Sequence, residues 1–188
     1  MQKYYQRFPE IDNVYWTDYF LKEFIPKYKF HEELKVSAYN YVQYNNKNLY
    51  PKIVELDNEL QQKYKFPPIE YFLIFSHQAQ NQPVHIDGTQ QYRHASLNLT
   101  VTGYQNTKML FYTQNKPNIQ SNVSNANYLD LKDLKLVNEF NGCNNWVMIN
   151  SGVPHQAIGI NLNETRTTVC LRFTGNPTFE DLINNAKS

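Results

Sequence analysis

The chain has 188 residues, enough for one domain with a sizeable core, and its 18 Lys+Arg against 17 Asp+Glu leave a net charge of +1, so it carries neither the basic stripe of a nucleic-acid surface nor a single-sign field for steering a highly charged partner. Two cysteines, Cys143 and Cys170, make no disulfide framework and suit a reducing compartment, while 15% aromatics, among them 15 Tyr, can fill a core despite a mean hydropathy of −0.66. Residues 1–9 show no apolar signal region, and the densest apolar run, 71–75, is too short to cross a bilayer, so a cytoplasmic location without membrane contact is expected.

No internal repeat is present, and the whole chain, 1–188, reads as a single domain. Residues 1–68 read as a mainly helical N-terminal support. One helix is expected over 17–28, with Tyr19, Phe20, Phe24 and Ile25 at helical spacing. A second is expected over 50–66, where Pro51 suits the first turn and Ile53, Leu56 and Leu60 form a stripe. Pro67-Pro68 ends it and starts extended chain.

From Glu70 the period becomes two. Strands are expected over 71–76, 84–86, 94–102, 108–113, 134–140, 145–150, 155–160 and 165–174. In 94–102, Ala95, Leu97, Leu99 and Val101 point one way and His94, Ser96, Asn98 and Thr100 the other. Asn141-Gly142 reads as a hairpin turn, and 161–164 as a second one. That second hairpin would set Cys170 opposite His155 and Gly159 opposite Arg166. It would leave ~13 Å of strand between the levels of His155 and Arg166. Residues 114–130, rich in Asn, Ser and Gln, read equally as a lid or a disordered insertion. A last helix, within 175–188, is expected to start at Thr178 with Asp181 in a capping-box contact. Eight short strands over 69–174 with helices in front make the class mainly β, a jelly-roll or cupin-like double-stranded β-helix.

Four residues carry the candidate chemistry. His85 and Asp87 stand at i and i+2 and project from one side of a strand, so both can bind one metal. His155 opens a later strand that a jelly roll can bring to the same mouth. Two histidines and one carboxylate occupy one face of an octahedral Fe(II) and leave the other positions open. Arg166 can hold the far carboxylate of an iron-chelating acid such as 2-oxoglutarate.

The runs Val84-His-Ile-Asp-Gly88, His94-Ala-Ser-Leu-Asn-Leu-Thr100, Met109-Leu-Phe-Tyr112, Trp146-Val-Met-Ile-Asn-Ser-Gly-Val-Pro-His155, and Arg166 through Arg172-Phe173 together resemble the Fe(II)/2-oxoglutarate-dependent oxygenases. They look closest to the small aspartyl/asparaginyl-hydroxylase-like branch. The likeness covers about residues 70–174. It implies a double-stranded β-helix, Fe(II) bound by His85, Asp87 and His155, 2-oxoglutarate chelating the iron and held by Arg166, and O2 as oxidant. The implied reaction hydroxylates an unactivated C–H of a small molecule or an amino-acid or peptide side chain.

Further candidates follow from strand alternation. Ser96 and Asn98 share the pocket face with the cosubstrate or are ordinary interior polar residues. Tyr112 reaches the 2-oxoglutarate carboxylate or belongs to the core. Arg172, with His94 and Trp146, is a candidate substrate contact; a rim charge pair, a satisfied interior histidine and plain packing are the simpler readings of these three. Arg93 is a further mouth residue. Two other function classes compete: a cupin-type metalloenzyme that does not use 2-oxoglutarate, which needs another histidine ligand from His77 or His94, and a non-catalytic jelly-roll binding module with no metal dependence.

Overall fold

The period-two alternation that begins near Ile69 folds into strands whose pairing is nested rather than sequential. The protein is described by a computed structural model covering residues 4–27, 35–36, 39–78, 82–87, 95–114, 119–123, 126–159 and 165–187. Eight strands form the central motif: β4 (Ile69–Gln78), β5 (His85–Asp87), β6 (Ser96–Thr102), β7 (Lys108–Gln114), β10 (Leu134–Asn141), β11 (Trp146–Ile149), β12 (His155–Ile158) and β13 (Thr165–Phe173). First pairs with last, β4 with β13; then β5 with β12, β6 with β11 and β7 with β10, all antiparallel. This nesting winds the chain alternately through two sheets and defines a double-stranded β-helix.

The remaining strands extend the sheets. β1 (Tyr5–Phe8), β2 (Lys35–Val36) and β3 (Tyr39–Tyr44) come from the N-terminal region, and β8 (Ile119–Val123) and β9 (Ala126–Leu129) from the 114–130 segment. The first sheet runs β1-β11-β6-β13-β4-β3-β2 and the second β10-β7-β12-β5-β9-β8. Three expectations are corrected here. The N-terminal region contributes strands as well as helices. The segment 114–130 contains a two-stranded extension beside β5, where a lid or disordered loop was expected. Neither expected hairpin pairing forms: β10 and β11 lie in opposite sheets, as do β12 and β13, residues 161–164 are outside the described residues, and Cys170 lies opposite Leu73 and Asn98 instead of His155. Gly142 is required at its crossing because a Cβ there would meet the Tyr104 carbonyl and the Thr107 side chain.

Helices cover the outer face of the first sheet. α1 (Asn13–Asp18) is capped by Asp12, whose carboxylate accepts from Tyr15 N, and it runs on through a π-helical turn, Tyr19–Phe24, into α2 (Ile25–Lys27). α3 (Pro51–Tyr64) starts on Pro51 and ends at Lys65 in the left-handed region, φ 56°. α4 (Phe179–Asn185) begins with the reciprocal Thr178–Asp181 capping box. Phe20, Phe24, Ile53, Leu56 and Leu60 pack on Leu97, Leu99, Val169 and Leu171. A smaller core of Met109, Phe111, Val147, Ile149 and Ala157 fills the space between the sheets. Alternation decides which β6 and β13 residues face that interior: with Leu97, Leu99 and Leu171 outward, Ser96, Asn98, Thr100, Arg166, Thr168, Cys170 and Arg172 point inward. Among the described residues no helix is long and apolar enough to cross a membrane.

Candidate metal centre

β5 and β12 are neighbours in the second sheet, and His85 stands directly opposite His155. Their ring centroids are 4.4 Å apart. The Nδ1 of His85 lies 2.9 Å from the Pro83 carbonyl, and that of His155 lies 2.9 Å from the Val153 carbonyl. A carbonyl oxygen can only accept, so each Nδ1 carries a proton and each Nε2 keeps a lone pair. Gln82 supports this assignment. Ala157 N donates to its Oε1 at 3.3 Å, which turns its Nε2 toward His85 Nε2 at 3.2 Å as a donor. Burial, aided by the neighbouring His85, pushes the His155 pKa down to about 4, so this ring is neutral at pH 7.

Asp87 projects from the same side of β5, with Oδ1 3.3 Å from His85 Nε2. One ligand atom each from His85, Asp87 and His155 lie within 4.8 Å of one another. Two imidazole lone pairs and a carboxylate oxygen thus converge with no proton assigned between them, which is the donor set a divalent cation satisfies.

Arg172 is buried beside this cluster. Its Nη2 is 2.5 Å from Asp87 Oδ2, and its Nη1 donates to Ala95 O and Ser151 Oγ, both at 2.9 Å. Burial works against the Asp87 charge, but the Arg172 guanidinium holds its carboxyl well below the usual carboxylate range. Burial likewise works against the charge on Arg172; Cys170, Asp87 and Tyr71 outweigh it, and the guanidinium stays protonated. The expected rim residue is therefore an interior one. The expected hairpin does not form, and the pairing of β13 with β4 and β6 brings Arg172 to Asp87.

Arg166 lies on the same interior face of β13 and is 6% exposed. Its Nη2 donates to Thr100 Oγ1 at 3.3 Å, so the head group leans toward the level of Thr168, which pairs with Thr100. Among the described residues its Nε has no hydrogen-bond partner and no carboxylate pairs with it. Burial pushes its pKa down to about 10, which still leaves it charged at pH 7. Ser96 Oγ and Asn98 Oδ1, on the neighbouring strand, are also buried without partners. Asn98, Thr100, Arg166, Met109, Val147 and Ile149 border a cavity of about 20 Å³, room for roughly one water.

Two candidates point elsewhere. Tyr112 shares the outer face of the second sheet with Leu110 and Leu129, and its hydroxyl accepts from Gln156 Nε2 at 2.7 Å. It is Phe111, one residue earlier, that faces the interior. Trp146 is fully buried in the helix-side core with Met148, while Val147 and Ile149 face inward. Neither residue contacts the cavity. His94, Arg93 and the side chain of His77 lie outside the described residues. The sequence reading passed over Gln82 and Ser151; their signals are proximity, three residues before His85 and four before His155.

No protein-family profile matches the chain, and no curated protein is significantly similar to it in sequence. Among solved structures it is similar to HygX from Streptomyces hygroscopicus, solved with nickel and 2-oxoglutarate bound, at 8% identity and a TM-score of 0.46 over 74% of this chain and 70% of that one. It is similar to YcfD from Escherichia coli, a ribosomal oxygenase solved with cobalt and 2-oxoglutarate, at 12% identity and a TM-score of 0.38 over 83% and 37%. It is also similar to vicilin from hazelnut, Corylus avellana, at 9% identity and a TM-score of 0.40 over 77% and 31%. The matched part thus spans well under half the length of YcfD and of the vicilin.

Proposed function

We propose that this chain is a non-haem Fe(II)/2-oxoglutarate-dependent oxygenase that hydroxylates an unactivated C–H bond of a small molecule or an amino-acid side chain. The observation that carries the reading is a pairing inside one barrel: a three-donor cation site, and a buried guanidinium, Arg166, with no anionic partner among the described residues. A buried charge without a partner is costly. An anion that binds the cation at one end and Arg166 at the other removes that cost.

His85 Nε2, His155 Nε2 and Asp87 Oδ1 would hold Fe(II), because two neutral nitrogens and one carboxylate suit that ion and leave positions for cosubstrate. When bound, iron and 2-oxoglutarate supply the oxidising chemistry: one oxygen atom of O2 enters succinate and the other the substrate. The protein's own residues bind, orient and exclude water. The Nδ1 bonds to Pro83 and Val153 fix both imidazole planes. Arg166 and Thr100 would hold the distal carboxylate, with Asn98 Oδ1 and Ser96 Oγ as further polar groups on the interior face of β6. Met109, Phe111, Val147 and Ile149 keep it dry. The present cavity is smaller than a diacid, so entry requires side chains to move, and the flexible Met109 is suited to that.

Anaerobic addition of Fe(II) and 2-oxoglutarate to the apo-protein tests the reading. The expected result is a weak visible charge-transfer band that is absent in Asp87→Ala and weakened in Arg166→Ala. Metal binding without the band would point to a cupin chemistry that does not use 2-oxoglutarate. No metal binding would remove the metalloenzyme reading.

A further inference from the structure

We propose that Arg172 is the positioning residue of this metal centre: together with Ser151 it brackets Asp87 so that the carboxylate offers only Oδ1 to the cation. The inference rests on the metal-site reading above and adds how one ligand is oriented. Asp87 is held at two points. Its backbone N–H donates to Ser151 O at 3.1 Å, and its Oδ2 takes Arg172 Nη2. The same Ser151 accepts from Arg172 Nη1 through its hydroxyl, and Ala95 O accepts from that nitrogen as well. One residue of the turn after β11 therefore fixes both the backbone of the ligand and the guanidinium that fixes its side chain.

The consequence is a choice of coordination mode. A carboxylate free to rotate presents both oxygens, and a bidentate grip takes a second position on the cation. With Oδ2 committed to a planar fork, Oδ1 alone faces His85 Nε2. One carboxylate position and two imidazoles leave the remaining positions for a chelating cosubstrate and O2. The bracket also ties β13 of the first sheet to β5 of the second, so it holds the two halves of the site at one separation. A lysine at 172 keeps the charge but, lacking the fork, cannot reach all three acceptors in plane.

The test uses Co(II) as a spectroscopic probe on the purified full chain, with circular dichroism to establish folding. Affinity and the visible ligand-field spectrum are read for wild type, R172Q, R172K and S151A. R172Q is expected to bind Co(II) about 10–100-fold more weakly with an altered band intensity. R172K should fall between it and wild type, and S151A should shift the same way by less. If R172Q does not fold, S151A, which loses only a hydroxyl, carries the test. Wild-type affinity and spectrum in folded R172Q, or in S151A when R172Q is unfolded, overturn the bracket and leave the metal centre standing. Absence of Co(II) binding by wild type overturns both.

Discussion

His85 and His155 face each other across the β5–β12 ladder, and each commits its Nδ1 proton to the carbonyl oxygen two residues behind it. The same local device, used twice, turns two lone pairs toward one point. Because the tautomers are set by backbone, the site is assembled before any ion arrives.

The buried, neutral state of His155 gives the protein a pH dependence. With a folded pKa of about 4 against an unfolded value near 6.5, the unfolded chain binds more protons between those limits. Stability of the apo-protein should therefore rise with pH from about 4 to 6.5 and level off above. The contribution is on the order of 3 kcal/mol. Asp87, depressed below its ordinary value, adds a further loss only at pH below about 3.8. Urea unfolding at pH 4.5 and 7 should show a smaller difference for His155→Gln than for wild type. Equal slopes in the two proteins would contradict the burial argument.

Arg166→Met replaces a buried cation, with no carboxylate partner among the described residues, by a flexible apolar chain of similar length. Apo stability should stay level or rise, by up to about 3 kcal/mol, since buried charges are often replaced at a gain. The added stability that 2-oxoglutarate gives the metal-loaded wild type should disappear. Thermal midpoints with and without 2-oxoglutarate measure both effects; a ligand-induced rise surviving in the variant would remove Arg166 from the cosubstrate site.

Gln82 donates to His85 Nε2, the same lone pair that a cation needs. Gln82→Ala should free it, and metal uptake in stopped-flow mixing should be faster by about 3–10-fold, the equivalent of about 1 kcal/mol for one lost hydrogen bond. Slower uptake would show instead that Gln82 orients the ring for the metal.

Gly103 has φ 65°, and a Cβ there would lie 2.8 Å from Arg166 Cα. Gly103→Ala should cost about 1–3 kcal/mol and weaken 2-oxoglutarate binding more than metal binding, because the displaced backbone carries Arg166 and not the ligand triad. Isothermal titration with each ligand separates the two. Equal weakening of both would mean that the strain spreads through the barrel.

How far the sequence reaches can be seen at particular residues. Leu97, Leu99 and Val101 announced the face of β6 by alternation, and the inward row of Ser96, Asn98 and Thr100 followed. The Thr178–Asp181 box was readable because capping is local. Tyr112 and Trp146 were left between a site role and the core, and both belong to the core: each sits in an apolar run, Met109–Tyr112 and 146–149, where both faces of the strand are buried and alternation is silent. Arg172 was displaced by a false hairpin: a short polar linker looks the same whether it joins paired strands or crosses between sheets.

By itself the sequence determined the eight strands of the central motif, the two faces of β6, and the residue types able to bind a cation and an anion, because those properties depend on period, side-chain chemistry and nearest neighbours. Only the tertiary structure decided that β5 pairs with β12, that Arg172 reaches Asp87, and that Arg166 is buried with no carboxylate beside it among the described residues. These are contacts between residues far apart in the chain, and nested pairing in two sheets, which no local pattern encodes, is what brings them together.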